Sequence, residues 1–593
     1  MYILGISAFY HDSAACIMKD GKILSAIQEE RFSRKKNDSV FPKHVIKYFL
    51  KEYNLSLNDI DYIVFYEKPF LKFERLIETY VKNSPKGFGS FIKSIPFWVK
   101  EKIFQKKIIL DNLAQLDQSF KKKRCNLLFS NHHLSHAASC YYPSPFDKAA
   151  ILTLDGVGEW TTTAIYQAKN NIINLKEKID FPHSLGLLYS SFTQYLGFKV
   201  NEDEYKVMGL APYGKPIYKD KILSNIIKVE KNGFFKLNMK YFNYKTGLTM
   251  INKNFENLFG RRIRGKSEVI ENFHKDIASS IQKVLDEIII KMAKYIKKKY
   301  QNENLCLAGG VALNCVINGK LQKEKIFKNM WIQPAAGDAG GSLGAALLIW
   351  YQKLNNSKKN KDEMQNSLLG RSFDQEEIES VLNFLKANYE TLDEENLLNI
   401  VSDRLIEGKT IGWFQGREEF GPRALGSRSI IADPRNANMQ KILNLKIKFR
   451  ESFRPFAPVV LEKESSKWFD MDYKSPYMLF VADLKDNKKI ILDEKKQKDL
   501  NELRSEVPAI THVDYTARVQ TVNESNGMFY KIVKKFYQKS NCPMLINTSF
   551  NINKEPIVGS IEDAYKTFLI SGLDILVCGN SILFKENQYD NLK

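Results

Sequence analysis

Two histidines four residues apart, His132 and His136, have the spacing that most directly indicates chemistry in this sequence. On a helix this spacing places both imidazoles on one face, one turn apart, while His133 points about 100° away. The apolar run 149–154 ends at Asp155, which predicts a buried strand that delivers a carboxylate at its end. Two imidazoles and a carboxylate could form three ligands of a metal site with an open face. The alternative is an ordinary surface helix that happens to contain two of the eight histidines.

Two further strand-to-helix turns carry residues suited to ligand binding. The apolar run 305–308 ends at Gly309 and Gly310 and leads into a helix near Asn314. Paired glycines let a ligand approach the backbone, and a helix N-terminus favours anions. Asp338 lies at a second such turn, where it is a candidate fourth metal ligand or a nucleotide contact.

Arginine is concentrated in the C-terminal part, with six arginines between residues 417 and 454. The guanidinium group grips phosphate or carboxylate with two hydrogen bonds. Arg423 lies in a loop rich in glycine and proline, and the local acids do not match the basic residues one for one. A phosphate-bearing small ligand is therefore preferred over structural ion pairs for Arg423 and Arg454. Arg518 and the strand end at Asn547 add groups suited to reading an amide or a ribose.

Composition limits the class of protein. A chain of 593 residues is too long to form a single hydrophobic core, so two or three domains are expected. A content of 44% hydrophobic residues indicates a globular protein. No apolar stretch reaches the length of a membrane span, and residues 1–7 lack the basic lead of a signal peptide. The seven scattered cysteines form no Cys-x-x-Cys pair. These features predict a cytoplasmic location without a membrane, a disulfide framework or a zinc ribbon.

The net charge of +21 comes almost entirely from dispersed lysines. A positive charge of this size is compatible with nucleic acid as a partner, but dispersed lysines favour solvated helix faces. We therefore expect no nucleic-acid partner.

The order of predicted elements indicates how the chain is organised. Residues 1–30 and 149–166 both have the pattern strand, polar or glycine-bearing turn, strand, which is a weak internal repeat. Such a repeat is typical of the duplicated ATPase architecture of actin, sugar kinases and Hsp70. The polar, low-complexity stretch 352–368 predicts a boundary between domains at 1–355 and 369–593.

Three segments between the turns have clear local patterns. A helix is predicted to run to Tyr195, and a long amphipathic helix is predicted at 273–300. Residues 201–214 combine acids, a lysine, glycine and proline, and we expect a functional loop there.

Taken together, the motifs resemble those of the O-carbamoyltransferases of nodulation-factor and antibiotic tailoring pathways. The segments that carry the resemblance follow one order over nearly the whole chain: 10–15, 29–32, His132-x-x-x-His136 with Asp155, 205–214, 309–314, 337–340, 421–426 and 547–551. The resemblance implies an α/β and α+β protein. Its N-terminal domain would have the duplicated actin-like ATPase fold (ASKHA, Kae1-like) of the tRNA threonylcarbamoyl transferase. Its C-terminal domain would be YrdC-like.

The resemblance also implies an activity and assigns roles to residues. The C-terminal domain would convert carbamoyl phosphate and ATP to carbamoyl-adenylate, and the N-terminal domain would pass the carbamoyl group to a hydroxyl. His11 would be the catalytic base. The implied ligands of an iron ion, Fe(II) or another divalent metal, are His132, His136, Asp155 and Asp338. The implied adenylate contacts are Lys36 (with Lys35 as the alternative), Gly310 and Asn314. The implied contacts to carbamoyl phosphate and ATP are Arg423, Arg454, Arg518 and Asn547. Magnesium is a further cofactor to consider.

The expected partner is a small-molecule hydroxyl acceptor, such as a sugar, an aminoglycoside-like compound or another metabolite, bound by a monomer or homodimer. Two other classes are compatible with parts of the sequence. A tRNA threonylcarbamoyladenosine-type enzyme predicts a contiguous basic face, against which the dispersed lysines argue. A non-catalytic nucleotide-binding regulator predicts no use for the His/Asp cluster. A hydrogenase-maturation carbamoyltransferase should carry zinc-ribbon cysteine pairs, which the sequence lacks.

Overall fold

The computed structural model describes residues 1–493, 496 and 502–591, and the chain divides into two compact units. Unit 1 comprises Met1–Glu29 and Asn37–Glu363, and unit 2 comprises Glu30–Lys36 and Met364–Lys593. The short segment 30–36 thus belongs to unit 2, although the chain on both sides of it belongs to unit 1. No pattern in the sequence indicates this exchange.

Unit 1 contains two sheets of the same topology. The strands of the first are β1 (Tyr2–Ser7), β2 (Ala14–Lys19), β3 (Lys22–Gln28), β4 (Tyr62–Phe65) and β5 (Leu127–Phe129), in the order β3-β2-β1-β4-β5. The strands that follow are β6 (Lys148–Leu154), β7 (Thr161–Lys169), β8 (Ile172–Asp180), β9 (Ile227–Val229), β10 (Phe235–Leu237), β11 (Asn304–Ala308) and β12 (Asn329–Ile332). The second sheet has the order β12-β11-β6-β7-β8, and β9 pairs with β10 separately.

The strand directions in the two sheets also correspond. β1 runs antiparallel to β2 and parallel to β4, just as β6 runs antiparallel to β7 and parallel to β11. Each sheet therefore has a hairpin on one side and parallel crossover strands on the other. This correspondence confirms the internal repeat that was predicted from the two strand–turn–strand segments.

Helices α6 and α13 lie between the two sheets of unit 1. The helices in chain order are α1 (Glu30–Ser33, in unit 2), α2 (Lys43–Glu52), α3 (Pro69–Asn83), α4 (Phe88–Trp98), α5 (Gln105–Leu116), α6 (His132–Tyr141), α7 (Leu185–Tyr195), α8 (Glu204–Leu210), α9 (Lys219–Asn225), α10 (Lys253–Phe259), α11 (Asn272–Tyr300), α12 (Cys315–Lys323) and α13 (Asp338–Leu348). α13 contacts β1 and β2 of the first sheet, α6 contacts β6 and β11 of the second, and the two helices contact each other.

The local helix predictions have mixed outcomes. α7 ends at Tyr195 as predicted, and α11 matches the predicted amphipathic helix within one residue. The prediction of a loop over 201–214 is wrong, because α8 occupies its centre. Val207 and Leu210 are buried at helical spacing, and Pro212 follows the helix, where it terminates rather than interrupts it.

Unit 2 is built on one mixed sheet, which has nine strands among the described residues. They are β13 (Glu390–Thr391), β14 (Ile411–Phe414), β15 (Arg428–Ala432), β16 (Ala457–Leu461), β17 (Phe480–Asp483), β18 (Thr516–Val522), β19 (Met544–Ser549), β20 (Ile575–Cys578) and β21 (Ser581–Phe584). Their order is β13-β21-β20-β14-β15-β19-β16-β18-β17. The helices are α14 (Gln375–Phe384), α15 (Glu394–Ile406), α16 (Met439–Lys441), α17 (Ser465–Trp468), α18 (Met528–Ser540) and α19 (Ile561–Ile570).

The central strands of this sheet are buried on both faces, and Ile430, Val459 and Leu545 belong to one hydrophobic core with α18 and α19. Both units therefore have mixed α/β architecture, as expected. Among the described residues, no helix combines the length and the apolar character needed to cross a membrane.

Candidate metal centre and basic site

Helix α6 fixes two histidines at its N-terminus. The Asn131 side chain caps the helix by accepting the Leu134 N–H at 3.3 Å. Glu159 Oε1 accepts the backbone N–H of His132 at 2.9 Å, and a carboxylate at this end is favoured by the helix dipole. His132 and His136 are 2% and 1% exposed, and their ring centroids lie 4.7 Å apart. The helix therefore holds both imidazoles rigidly inside unit 1.

Two carboxylates from distant parts of the chain meet these imidazoles. Asp155 follows β6, and Asp338 is the first residue of α13. Asp155 Oδ2 lies 2.9 Å from His132 Nε2, and Asp338 Oδ1 lies 3.6 Å from His136 Nε2. One ligand atom from each of the four residues lies within 4.8 Å of all the others. The structure thus brings together all four residues that were predicted to bind metal.

The chemistry of this donor set suits a divalent transition metal. Two imidazole nitrogens and two carboxylate oxygens are ligands for iron, manganese or zinc. The imidazole nitrogens lie 2.9–3.7 Å from the carboxylate oxygens. Donors that share one ion at about 2 Å lie roughly 3–4 Å apart. Asp338 Oδ1 is buried and has no hydrogen-bond partner among the described residues, so an acceptor is left to be satisfied. The residues present therefore fit a bound metal ion.

The pKa values of His136 and His133 are shifted in opposite directions. Burial works against protonation of His136, but the Asp155 and Asp338 carboxylates outweigh it and raise its pKa to about 9. Burial, followed by the charge of His132, lowers the pKa of His133 to about 3. His133 Nδ1 lies 2.7 Å from Thr153 Oγ1, away from the cluster. His133 is therefore a neutral structural residue, as its predicted direction on the helix implied.

His11 lies at the accessible side of the metal cluster. Its Nε2 is 3.9 Å from Asp338 Oδ2, its Nδ1 is 3.2 Å from Asp12 Oδ2, and its side chain is 27% exposed. Burial opposes protonation here too, but the field of Asp338 raises the pKa of His11 well above its ordinary value. The predicted base is therefore adjacent to the predicted metal ligands and open to a second molecule.

The glycine pair after β11 borders the same cluster. Gly309 has φ of +89°, and a Cβ there would lie 2.2 Å from Leu154 O, so only glycine fits. The Gly310 N–H donates to Asp155 Oδ1 at 3.1 Å. Asn314 accepts the Ile317 N–H as the cap of α12 and donates to a glutamine of α11. Gly310 and Asn314 therefore lie in one turn beside Asp155.

A basic cluster in unit 2 consists of Lys36, Lys448, Arg450 and Arg454. Lys448 is 2% exposed and donates to Asn551 Oδ1 at 2.8 Å. Burial and then the charges of Arg450, Arg454 and Lys36 hold the pKa of Lys448 well below its ordinary value. Lys36 thus lies in unit 2 near Lys448, and the other two implied adenylate contacts, Gly310 and Asn314, lie in unit 1.

The remaining predicted contacts lie on neighbouring strands of unit 2. Asn547 of β19 donates from Nδ2 to Ala424 O at 3.0 Å and to Gln520 Oε1 at 2.7 Å. It therefore touches the loop that carries Arg423. Arg518 and Gln520 are two residues apart on β18, so their side chains share one face of the sheet. Arg454 forms an ion pair with Glu451 at 2.7 Å.

Arg31 and Lys448 are among the buried basic residues of unit 2 that received no role from the sequence. Arg31 is 1% exposed and donates from Nη2 to Gly421 O at 2.9 Å. Lys448 is 2% exposed. Burial of a charged side chain depends on distant contacts, so local sequence carries little signal for it.

Comparison with known proteins defines the class. The family model described as Carbamoyltransferase N-terminus matches residues 2–347, and the one described as Carbamoyltransferase C-terminus matches residues 402–585. The chain therefore belongs to the carbamoyltransferase family, and the resemblance found in its motifs is confirmed.

Three relatives illustrate this membership. The chain is 51% identical to the uncharacterized protein sll1178 of Synechocystis sp., over 99% of this chain and 97% of that protein. It is 34% identical to nodulation protein NolNO of Sinorhizobium fredii, over 98% of this chain and 80% of that protein. It is 29% identical to the 3'-hydroxymethylcephem-O-carbamoyltransferase of Amycolatopsis lactamdurans, over 47% of this chain and 48% of that protein. The protein is thus a carbamoyltransferase enzyme.

Proposed function

We propose that this protein uses carbamoyl phosphate and ATP to carbamoylate a hydroxyl group of a small molecule, through a carbamoyl-adenylate. The observation that carries the proposal is the meeting of His11 with the cluster of His132, His136, Asp155 and Asp338 in unit 1. The domains assigned above as 1–355 and 369–593 would have the actin-like and YrdC-like folds. The first would perform the transfer, and the second would form the adenylate.

The first half-reaction needs groups that position phosphates. Carbamoyl phosphate, ATP and water would yield carbamoyl-adenylate, phosphate and pyrophosphate. Arg423, Arg454 and Arg518 would hold phosphate oxygens with charge-assisted hydrogen bonds, as the clustering of basic side chains in unit 2 supports. Their contribution is positioning, because fixing two anions in reactive geometry removes much of the entropic barrier.

The second half-reaction needs a base. Nitrogen lone-pair donation makes a carbamoyl carbonyl a poor electrophile, and the mixed anhydride compensates by providing AMP as leaving group. In its neutral form, which a cation held by Asp338 would favour by offsetting the charge of that carboxylate, His11 would take the proton of the acceptor hydroxyl. The hydroxyl oxygen would bond to the carbamoyl carbon while the bond to the AMP oxygen breaks. The Gly310 N–H and Asn314 would border the adenylate. A divalent metal held by the four ligands, Fe(II) in our assignment, would supply Lewis-acid stabilisation of developing charge.

Other features agree with an enzyme of small-molecule metabolism. The seven cysteines are all free, which supports a reducing, cytoplasmic location. ATP would enter with magnesium. Neither unit offers an observation that favours nucleic acid over a small acceptor, so we propose a metabolite as the acceptor.

The proposal is tested by product formation with purified protein. We expect pyrophosphate and AMP only when ATP and carbamoyl phosphate are supplied together. His132→Ala should abolish carbamoyl transfer and spare adenylate formation, because His132 belongs to unit 1. Asp220→Ala, at a side chain that is 93% exposed, is the control and should retain both activities. Absence of pyrophosphate release from the wild-type protein would refute the proposal.

A further inference from the structure

Helix α3 has an inverted pattern of burial. A surface helix normally buries apolar residues and exposes polar ones. On α3 the buried side chains include Lys72 and Arg75, each 6% exposed, whereas Phe70 and Val81 are 64% and 67% exposed. Basic side chains are buried on a helix where acidic or polar groups in the interior can pair with them. The buried face of α3 therefore borders a polar site of unit 1.

The inward cations meet few acceptors. Lys72 donates from Nζ to Glu67 Oε2 at 2.7 Å, and Glu67 is fully buried. Lys102, also 6% exposed, has its Nζ at 3.7 Å from Glu67 Oε1, which is longer than a hydrogen bond. Arg75 donates from Nη1 to Gly158 O at 2.6 Å. Among the described residues, Glu67 is thus the one carboxylate within ion-pair distance of these two buried lysines.

These three side chains make few hydrogen bonds within the described part of the chain. A guanidinium group has five N–H donors, and Arg75 makes a single hydrogen bond within the described part of the chain. Glu159, the second buried carboxylate nearby, already accepts the N–H groups of His132 and Lys68. The part-exposed Glu101 acts on Lys102 only from a distance. The three largely buried cations thus have one carboxylate, that of Glu67, within ion-pair distance, and this excess of positive charge favours an anionic ligand.

The position of the cations relative to the metal cluster indicates which ligand group they meet. His132 Nδ1 faces Glu67 Oε2 at 3.9 Å, whereas its Nε2 faces Asp155. Gly310, at the proposed adenylate turn, contacts Asp155 on the Nε2 side. The cations therefore lie on the opposite side of the His132 ring from the adenylate turn.

The same cations are close to the proposed base. Lys72 Nζ lies 4.8 Å from the centroid of the Tyr10 ring, and that ring lies 4.5 Å from the ring of His11. A molecule whose hydroxyl approached His11 could extend past Tyr10 toward Lys72. This is the side from which an acceptor would enter the proposed reaction.

We propose that Lys72, Arg75 and Lys102 form an anion subsite that binds a carboxylate, sulfate or phosphate group of the acceptor while its hydroxyl faces His11. The inference rests on the proposed function and specifies the acceptor as an anionic metabolite. It disfavours the cationic, aminoglycoside-like acceptors that the sequence left open, because their ammonium groups would be repelled by three buried cations. Arg75 supplies a planar fork for two oxygens, and the lysines supply point charges.

The first test uses the wild-type protein and a metabolite extract separated on an anion-exchange column. Flow-through and retained fractions are each incubated with the protein, ATP and carbamoyl phosphate, and mass spectrometry detects the gain of one carbamoyl unit. We expect the carbamoylated compound in the retained fraction. Carbamoylation confined to the flow-through overturns the inference. Absence of pyrophosphate release when the wild-type protein is incubated with ATP and carbamoyl phosphate alone would instead refute the proposed function. The two failures are therefore distinguishable.

The second test measures inorganic sulfate binding to the full-length protein by calorimetry. Lys102→Met should weaken saturable sulfate binding by at least about tenfold, and Arg75→Lys should weaken it less, because the charge is kept and the fork is lost. Lys93→Met, on the exposed face of α4, is the matched control and should bind as the wild type does. Circular dichroism verifies that each variant is folded.

Three outcomes of the sulfate experiment would overturn the inference. The first is equal sulfate affinity in the wild type and in both subsite variants. The second is the absence of saturable sulfate binding. The third is competition between AMP and the sulfate whose binding depends on Lys102, which would show that these cations bind the phosphate of the donor. We expect AMP to change that sulfate affinity by less than about twofold, because the adenylate turn lies on the other side of His132.

Discussion

At the scale of single residues, the four members of the candidate metal site differ in how well the sequence predicted them. The spacing of His132 and His136 and the strand that ends at Asp155 are local patterns, and the structure places all three together. Asp338 belongs to the same cluster, but its own surroundings allowed a nucleotide contact as well as a ligand. The burial of Lys72 and Arg75 could not be predicted. The sequence of a helix does not distinguish a basic side chain that faces the interior from one that faces solvent, because the difference depends on neighbours from other elements.

The metal assignment can be tested with Asp338→Asn. The amide keeps the shape but loses the negative charge and one ligand oxygen, so we expect iron affinity to fall by at least about tenfold. Metal content is measured by elemental analysis after anaerobic loading with Fe(II) and gel filtration. Asp220→Asn, at a side chain that is 93% exposed, is the control and should keep the wild-type content. Full iron occupancy in Asp338→Asn would show that the Asp338 carboxylate is not a ligand of the ion.

The role of His11 can be separated from that of the metal ligands. His11→Asn should reduce carbamoyl transfer by about 10²- to 10⁴-fold, which is the usual contribution of a general base. Iron content and the rate of pyrophosphate release should stay at wild-type values, because His11 is neither one of the four ligands nor part of unit 2. A parallel loss of pyrophosphate release would contradict the assignment of His11 to the transfer step.

At the scale of elements, the close contact of α6 with α13 sets the geometry of the cluster. Gly344 of α13 approaches α6 so closely that a Cβ would lie 1.8 Å from Ser135 O. The glycine- and alanine-rich sequence after Asp338 predicted a helix, but it could not indicate which helix the small residues would face. The repeated strand–turn–strand pattern, by contrast, correctly predicted two matching sheets, because each hairpin is encoded locally.

The helix contact leads to a prediction for Gly344→Ala. The added methyl group must separate two backbones, so we expect a loss of about 1–3 kcal/mol in the free energy of unfolding, measured in urea. Iron affinity should fall as well, because α13 carries Asp338 and α6 carries both histidines. Gly89→Ala is the control, because no atom lies within 4 Å of its Cβ position, and stability should be unchanged or slightly higher. Unaltered stability in Gly344→Ala would show that the helices tolerate separation.

At the scale of the whole molecule, the two family matches correspond to two compact units, except for one exchange of chain. The low-complexity stretch 352–368 is a compositional signal, and the unit boundary after Glu363 lies inside it. Segment 30–36 has no such signal, because its place in unit 2 depends on contacts with residues hundreds of positions away. Arg34, for example, donates from Nη1 to Ile557 O at 2.6 Å. Long-range contacts of this kind are not encoded in local periodicity.

This exchange predicts that one residue near the N-terminus controls the chemistry of unit 2. Arg31 donates to Gly421 O, two residues before Arg423, and its own carbonyl accepts an N–H of Arg371 at 2.9 Å. In Arg31→Met the Gly421 carbonyl loses this buried donor, and the loop that carries Arg423 should loosen. We expect a clear fall in pyrophosphate release but a wild-type iron content, because the four ligands belong to unit 1. Arg124→Met, at an exposed side chain, should change neither quantity. If Arg31→Met lowered iron content and left pyrophosphate release intact, segment 30–36 would serve unit 1, and its assignment to unit 2 would be wrong.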